Sequence, residues 1–197
     1  MPSLEQAVKE QFAKIFPQDD WKLFKEIAEI NFTEAAFLKK ASLKVPANRK
    51  LLVRNIRKRL LIGIGVELLL KAVYLKSGYG INKPLKNVTG LNFPYKLTEV
   101  DKELLDANDT FRLGELIAQM NKVPNFENSE TSLEGLKVAK VFRNKEGHVV
   151  TDSHKFYPSS YRAIEAALVK VYELAFDEHL KVQFSFEVGE KGEWHLR

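Results

Sequence analysis

The sequence predicts a mainly α-helical protein: an up-and-down helical bundle with an N-terminal helical extension and a short C-terminal β-hairpin. Two observations favour this class. Apolar residues recur at helical spacing through most of the 197-residue chain, and proline or glycine separates the periodic segments. Near the C-terminus the pattern changes to strict alternation, which is typical of strands. We accordingly divide the chain into the N-terminal extension (1–46), the bundle (47–178) and the C-terminal strand extension (179–197).

Two helices are expected in the N-terminal extension. Residues 4–16 carry an apolar stripe at helical spacing, and Pro17 ends it. Asp19 or Asp20 can cap a second helix over about 21–41. The apolar residues expected on its buried face are Leu23, Phe24, Ile27, Ile30, Phe37 and Leu38.

The bundle begins with the longest periodic segment of the chain. This segment is expected to form a helix from Asn48 to about Lys76, ended by Gly78 in the C-cap region. Glycines and prolines over 78–98 predict an ordered loop. Asp109 can cap the helix that follows this loop. The remaining helices are expected over 110–121, 131–142 and 159–176.

The C-terminal segment has the period of a β-structure. Residues 181–188 alternate polar and apolar side chains, and the sequence at 189–192 is typical of a turn, with two glycines. Residues 193–197 can form the returning strand. A short hairpin is therefore expected after the last helix.

Composition excludes several classes of chemistry and leaves others open. The absence of cysteine removes disulfides, thiolate nucleophiles and cysteine metal sites, and neither a metal nor a cofactor is expected. The 31 basic against 26 acidic side chains give a formal charge of +5, which permits a polyanionic partner. The N-terminus lacks a signal-peptide pattern, and the longest apolar stretch, 60–75, is interrupted by Glu67 and Lys71. We therefore expect a cytoplasmic protein with no membrane partner.

Arg143, Asn144 and His148 form the first candidate site, at the expected end of a helix. An arginine is a fixed cation that binds a phosphate or a phosphorane through two donors. A histidine titrates near neutral pH and can transfer a proton. Together they suit cleavage of a phosphodiester by the adjacent 2′-hydroxyl, a reaction that needs no metal. The alternative is a solvated loop in which one arginine and one histidine occur by chance.

Glu67 and Lys71 form the second candidate feature. Their four-residue spacing places both on one face of the long helix, and they are the only charged residues within 60–75. Because an unpaired buried charge is costly, the pair is expected at an interface or at the rim of a site. The alternative is an ordinary intrahelical ion pair. Gly63 and Gly65, in the same stretch, would allow close contact with other helices.

The two features together resemble the HEPN ribonuclease superfamily. Its signature is an Arg, often followed by Asn, Asp or His, and then a His after four to six intervening residues. Arg143, Asn144 and His148 match this signature, with four intervening residues. Several HEPN groups, anticodon nucleases among them, also carry a Glu-x-x-x-Lys element, which Glu67 and Lys71 match.

The resemblance covers roughly 49–176 and implies a HEPN-type bundle with metal-independent endoribonuclease activity. RNA, with tRNA among the candidates, would be cleaved to a 2′,3′-cyclic phosphate and a 5′-hydroxyl. Arg143 would stabilise the phosphorane and His148 would transfer protons. Asn144 would orient one of these two residues, and the Glu–Lys pair would line or brace the cleft.

The resemblance also implies partners and a biological setting. HEPN proteins dimerise and their two Arg–His motifs meet in one composite cleft, so we expect a homodimer. The setting would be that of a toxin or a phage-defence effector, with an antitoxin or regulatory protein as a further partner. In HEPN toxins silenced by a nucleotidyltransferase, a tyrosine lies two positions after the histidine. That position is Val150 here, so this form of regulation is not implied.

A basic run in the first half of the long helix is a candidate RNA-binding surface. Arg54, Arg57, Lys58 and Arg59 could attract the phosphates of an RNA backbone. A solvated helix face is the alternative, and so is pairing with the acidic segment 99–109. If the run binds RNA, it is expected to hold the RNA backbone and to take no part in the chemical step.

Two other functions are compatible with the sequence. One is a catalytically silent HEPN-like module that binds a nucleotide or a protein, because the family contains inactive members. The other is an unrelated helical scaffold in which the motif is accidental. The intact combination of Arg143, Asn144 and His148 favours the enzyme.

Overall fold

The computed structural model describes most of the chain. The described residues are 3–13, 20–38, 44–129, 133–146, 158–184, 186–188 and 194–196. Within them the chain is mainly helical with short antiparallel strand pairs, which confirms the mainly α class of the prediction. No helix in these ranges is both long enough and apolar enough to cross a membrane.

The described helices occur in the predicted order. Their bounds are α1 Leu4–Ala13, α2 Trp21–Phe37, α3 Lys50–Lys76, α4 Leu113–Ala118, α5 Glu134–Glu146 and α6 Pro158–Phe176. α3 packs against α2 and α5, and α5 packs against α6. Their buried apolar residues form one core. α2 therefore shares its core with the bundle, although the sequence placed this helix in an N-terminal extension.

α2 begins where the sequence predicts, but it buries a different face. The Asp20 carboxylate accepts hydrogen bonds from the backbone N–H groups of Lys22 (3.0 Å) and Leu23 (3.3 Å), which confirms Asp20 as the N-cap. The expected inward face is wrong for four large apolar residues. These exposed residues are Leu23, Ile27, Ile30 and Phe37.

Close approach to α3 explains which face of α2 is buried. The buried side chains of α2 are Ala28, Phe32, Ala35 and Ala36. A Cβ added at Gly65 of α3 would lie 2.6 Å from the Phe32 ring, so the two helix backbones are close together. Small residues permit this approach, whereas bulky ones would hold the helices apart. The interpretation of Gly65 as a close-contact residue is confirmed.

α3 ends with the glycine stop that the sequence predicts. A 3₁₀ turn, Ala47–Arg49, leads into this helix, and the last helical residue is Lys76. The backbone N–H of Ser77 donates to the carbonyl of Val73 at 3.0 Å, and Gly78 follows with a φ of 80°. A positive φ of this kind favours glycine, which explains the residue type at the C-terminal end.

The segment between α3 and α4 contains a two-stranded sheet that the sequence did not predict. β1 (Asn82–Pro84) pairs antiparallel with β2 (Leu105–Thr110). The capping role expected for Asp109 is wrong, because Asp109 lies in β2 and α4 begins later, at Leu113. The two strands are short and far apart in sequence, so local periodicity does not reveal their pairing.

The C-terminal extension packs into the core before its hairpin. β3 (Phe186–Val188) and β4 (Trp194–Leu196) pair antiparallel, which confirms the hairpin, with a first strand shorter than expected. Phe184 is fully buried, and its ring centroid lies 5.8 Å from that of Phe32 in α2. The chain at this point therefore covers part of the helical core.

Candidate functional site

A cluster of charged residues lies where α3 meets α5. Glu67 of α3 forms two ion pairs, one with Lys71 on the same helix at 3.1 Å and one with the Nε of Arg143 on α5. The side chains of Glu67 and Lys71 are 12% and 10% exposed, and that of Arg143 is 39% exposed. The structure thus brings three predicted site residues together, with one carboxylate between two cations.

The ammonium group of Lys71 has a second partner outside its own helix. Its Nζ donates a hydrogen bond to Oγ1 of Thr110, at the end of β2, at 2.9 Å. A largely buried ammonium needs such partners, because desolvation without them is costly. Sequence reasoning missed Thr110, which is 39 residues from Lys71. The fold brings the two together, and no local sequence signal marks the pair.

The position of Arg143 depends on a glycine of α3. A Cβ added at Gly63 would lie 2.6 Å from the Cβ of Arg143 and 2.9 Å from its Cα and backbone N. No side chain fits here, so the two helices meet at their backbones. Glu67 lies one turn further along α3, and this contact therefore sets the arginine stem beside the carboxylate. The interpretation of Gly63 as a close-contact residue is confirmed.

A buried tyrosine ties α4 to the same part of α3. The Tyr74 hydroxyl donates to the backbone carbonyl of Leu116 at 2.8 Å, and both residues are buried. The ordinary pKa of a tyrosine is well above neutral pH, and burial raises the pKa of Tyr74 further, so the hydroxyl is protonated and can donate. This bond holds α4, and with it the preceding Thr110, against α3.

The arginine motif begins inside a helix. Arg143 and Asn144 lie in the last turn of α5, which continues to Glu146, whereas the sequence predicted a helix end near Phe142. The helix is longer because the first strong helix breaker after Phe142 is Gly147. Asn144 is exposed. His148 lies outside the described residues, so the geometry available here is that of the arginine part of the motif.

The basic run of α3 is not the exposed surface that the sequence predicted. Lys58 and Arg59 are 0% and 1% exposed, and Arg54 is 7% exposed. Lys58 donates to the backbone carbonyl of Phe184 at 2.8 Å, and its Nζ lies 5.1 Å from the centroid of the Tyr161 ring. The two alternatives for this run, an RNA-binding surface and a solvated helix face, both require exposed side chains. These three cations are not exposed, because other parts of the fold, the C-terminal extension among them, cover them.

Arg57 is the exposed member of the run. It forms an ion pair with Glu34 of α2, and the two side chains are 52% and 40% exposed. Its partner is therefore on a neighbouring helix and not in the acidic segment 99–109 that the sequence suggested. A single surface cation that is already paired does not make a surface that follows an RNA backbone.

The charged cluster has the chemistry of an anion-binding site with an internal counter-ion. A guanidinium has five N–H donors in a planar fork. Arg143 can therefore keep its contact with Glu67 through Nε and present its outer donors to a phosphate. Because Glu67 and Lys71 are largely buried, they are suited to hold the arginine and not to contact a large substrate themselves.

The class of this site follows from its geometry, because the comparisons with known proteins add no match. Within the described ranges, no group of three or more His, Asp or Glu side chains is placed to hold a metal ion. No family model, curated protein or solved structure matches the chain. What the fold and the site define is a class of protein: a mainly helical chain with a Glu–Lys–Arg cluster at the contact of two helices.

Proposed function

We propose that the protein is a metal-independent endoribonuclease of the HEPN type, with Arg143 and His148 as its catalytic residues. The observation that carries this proposal is the contact of Glu67 with both Lys71 and Arg143. The HEPN resemblance rests on two short motifs that are far apart in sequence. Motifs that occur by chance have no reason to meet in space, whereas parts of one site must meet.

Arg143 stabilises the negative charge that develops on the pentacoordinate phosphorane. Glu67 and Lys71 are positioning residues that act through Arg143, because their burial keeps them behind the guanidinium. Asn144 is exposed beside Arg143 and orients the histidine or the arginine for the reaction. His148 follows two residues after the end of α5 and transfers the protons.

The reaction transfers the phosphoryl group from the 5′-oxygen to the neighbouring 2′-oxygen within the RNA. The 2′-hydroxyl oxygen attacks the neighbouring phosphorus, and its proton goes to a general base. The bond from phosphorus to the 5′-oxygen breaks, and a general acid protonates that oxygen. The products are a 2′,3′-cyclic phosphate and a 5′-hydroxyl. In a homodimer, His148 of one protomer serves as the base and His148 of the other as the acid.

An RNA-cleaving protein of this kind acts in the cytoplasm as a toxin or a phage-defence effector. Cleavage of an essential RNA, with tRNA among the candidates, would stop growth, and an antitoxin or regulatory protein would restrain it. Expression of the protein in cells tests this role directly. Expression of the wild type should arrest growth, and expression of His148→Ala at the same level should not.

The second candidate function is a silent HEPN-like module that binds a nucleotide or a protein. One observation favours it: Glu67 already pairs with Arg143, as a purely structural arginine would be paired. The two functions differ in turnover. A silent module binds a nucleotide without cleaving RNA, and Arg143→Ala then lowers its stability but removes no activity.

The experiment that tests the proposal is RNA cleavage by the purified chain in EDTA. The wild type should cleave, and Arg143→Ala and His148→Ala should lose most of the activity while circular dichroism shows an unchanged helical content. Lys145→Gln is the matched control, because it removes an exposed cation from the same helix. Full activity in Arg143→Ala would refute the proposal.

A further inference from the structure

Arg143 shares its face of α5 with a second cation. Lys140 precedes it by three residues, a spacing that puts the two Cβ atoms about 5–6 Å apart on one side of the helix. Asn144, four residues after Lys140, belongs to the same face. Lys140 is half-buried, as Arg143 is. The two cations therefore lie side by side at the edge of the candidate site.

The stem of Lys140 rests on α4. A Cβ added at Gly114 would lie 3.3 Å from Cδ of Lys140 and 3.7 Å from its Nζ. Gly114 is four residues after Thr110, the hydrogen-bond partner of Lys71. The contacts thus connect α3, α4 and α5 around one point. We call this group the α3–α4–α5 junction, and its members are Glu67, Lys71, Thr110, Gly114, Lys140 and Arg143.

The junction has an excess of positive charge. Its side chains include three cations and one carboxylate, which leaves a net charge of +2. The acidic residues nearest to Thr110 and Gly114 in sequence, Asp109 and Glu115, share one cation, Lys83, at 3.4 and 3.6 Å. Counting these three side chains with the junction still leaves a net charge of +1. A positive excess at a partly buried position attracts an anion. Two cations one helical turn apart suit two successive phosphates of one strand.

We propose that Lys140 binds the phosphate next to the scissile phosphate of an RNA strand, while Arg143 binds the scissile phosphate. This inference rests on the proposed ribonuclease function. The inference places substrate binding on the face of α5 that carries Arg143. The basic run on α3 is less suited to this role, because Lys58 and Arg59 are buried. The ligand it requires is a polynucleotide with at least two phosphodiesters and not a free mononucleotide.

The first test measures binding without cleavage. It uses the whole chain and a short 2′-O-methyl RNA, which cannot be cleaved by a 2′-hydroxyl, with fluorescence anisotropy across a salt series. Lys140→Gln should weaken binding and reduce the slope of log affinity against log salt by about 0.7, the contribution of one single-strand phosphate. Lys140→Arg should keep the wild-type slope.

The control for this test is Lys145→Gln. Lys145 is exposed and lies five residues along α5, on the other side of the helix, so its removal changes the net charge equally. The slope of this variant should stay close to that of the wild type. If Lys140→Gln and Lys145→Gln lose RNA affinity and salt slope equally, the proposal is overturned. It is also overturned if the wild type does not bind the RNA.

The second test separates the two phosphates. A dinucleoside monophosphate has the scissile phosphate alone, whereas a longer RNA also has the adjacent one. Lys140→Gln should lower kcat/KM about tenfold for the longer RNA, as the loss of one charge-assisted contact would, and leave the dinucleoside value unchanged. Equal losses on both substrates would overturn the assignment. A wild type that cleaves neither would refute the ribonuclease, while the binding test would still decide the role of Lys140.

Discussion

The Cβ of Arg143 lies against Gly63 at a point where α3 has no room for a side chain. The arginine is therefore placed by backbone contact between two helices, and its Nε then meets Glu67 one turn further along α3. Both the steric contact and the ion pair converge on the same residue. A single methyl group at position 63 can consequently disturb the site without removing any charge.

Gly63→Ala should impair catalysis in a protein that still folds. The added methyl group would lie 2.6 Å from the Cβ of Arg143, so α5 must shift, and overpacking of this kind costs about 1–3 kcal/mol of unfolding free energy. The value of kcat should fall more than KM rises, because the variant displaces Arg143, the group that we propose to be catalytic. Gly65→Ala is the control, since it clashes with Phe32 of α2 instead. Equal kcat values in the two variants would contradict the positioning role of Gly63.

Glu67→Gln should leave two cations without their shared counter-ion. Loss of one partner from a buried ion pair costs about 3–5 kcal/mol. The partial exposure of Arg143 lowers the expected loss to about 2 kcal/mol, which urea unfolding can measure. Adding Lys71→Met should recover part of the loss, because it removes the repulsion between the two cations. If Glu67→Gln alone is as stable as the wild type, the ion pairs do not hold the cluster.

The predictable part of the fold is encoded locally. The Asp20 cap, the stop at Gly78 and the order of the helices follow from single residues with strong backbone preferences and from helical periodicity. The buried face of α2 does not follow, because it depends on how closely Gly65 lets α3 approach. The pairing of β1 with β2 joins distant residues and has no local signal either.

The candidate site also has a part that the sequence predicts and a part that depends on tertiary contacts. The four-residue spacing of Glu67 and Lys71 shows that they share a helix face, and the three-residue spacing of Lys140 and Arg143 shows the same for that pair. The contact of Lys71 with Thr110 depends on tertiary structure. So does the burial of the basic run, since composition cannot show that the chain near residue 184 covers it.

Lys58→Ala should lower stability by about 1.5–3 kcal/mol, because the backbone carbonyl of Phe184 would lose a charged donor in a buried position. Arg57→Gln should cost less than about 1 kcal/mol, because its pair with Glu34 is open to solvent. Urea unfolding of the two variants gives both values. Loss of RNA binding by a fully stable Lys58→Ala would instead restore the basic run as a substrate surface.

Mixing the wild type with an inactive variant should remove more than half of the activity if the cleft is shared by two protomers. A dimer of the wild type with His148→Ala keeps one His148, so the shared cleft lacks either its base or its acid. Co-expressed with different tags and purified through both, this dimer should cleave RNA at well under half the wild-type rate, and light scattering should give twice the mass of one chain. A fully active monomer would rule out the composite cleft.

The identity of the RNA ends after cleavage in EDTA is the most direct test of this mechanism. Attack by the 2′-hydroxyl leaves a 2′,3′-cyclic phosphate on one fragment and a 5′-hydroxyl on the other, without a metal ion. We expect these ends from the wild type and almost no fragments from folded Arg143→Ala or His148→Ala. Fragments with a 5′-phosphate, a strict requirement for Mg²⁺ or undiminished cleavage by either variant would contradict the central claim.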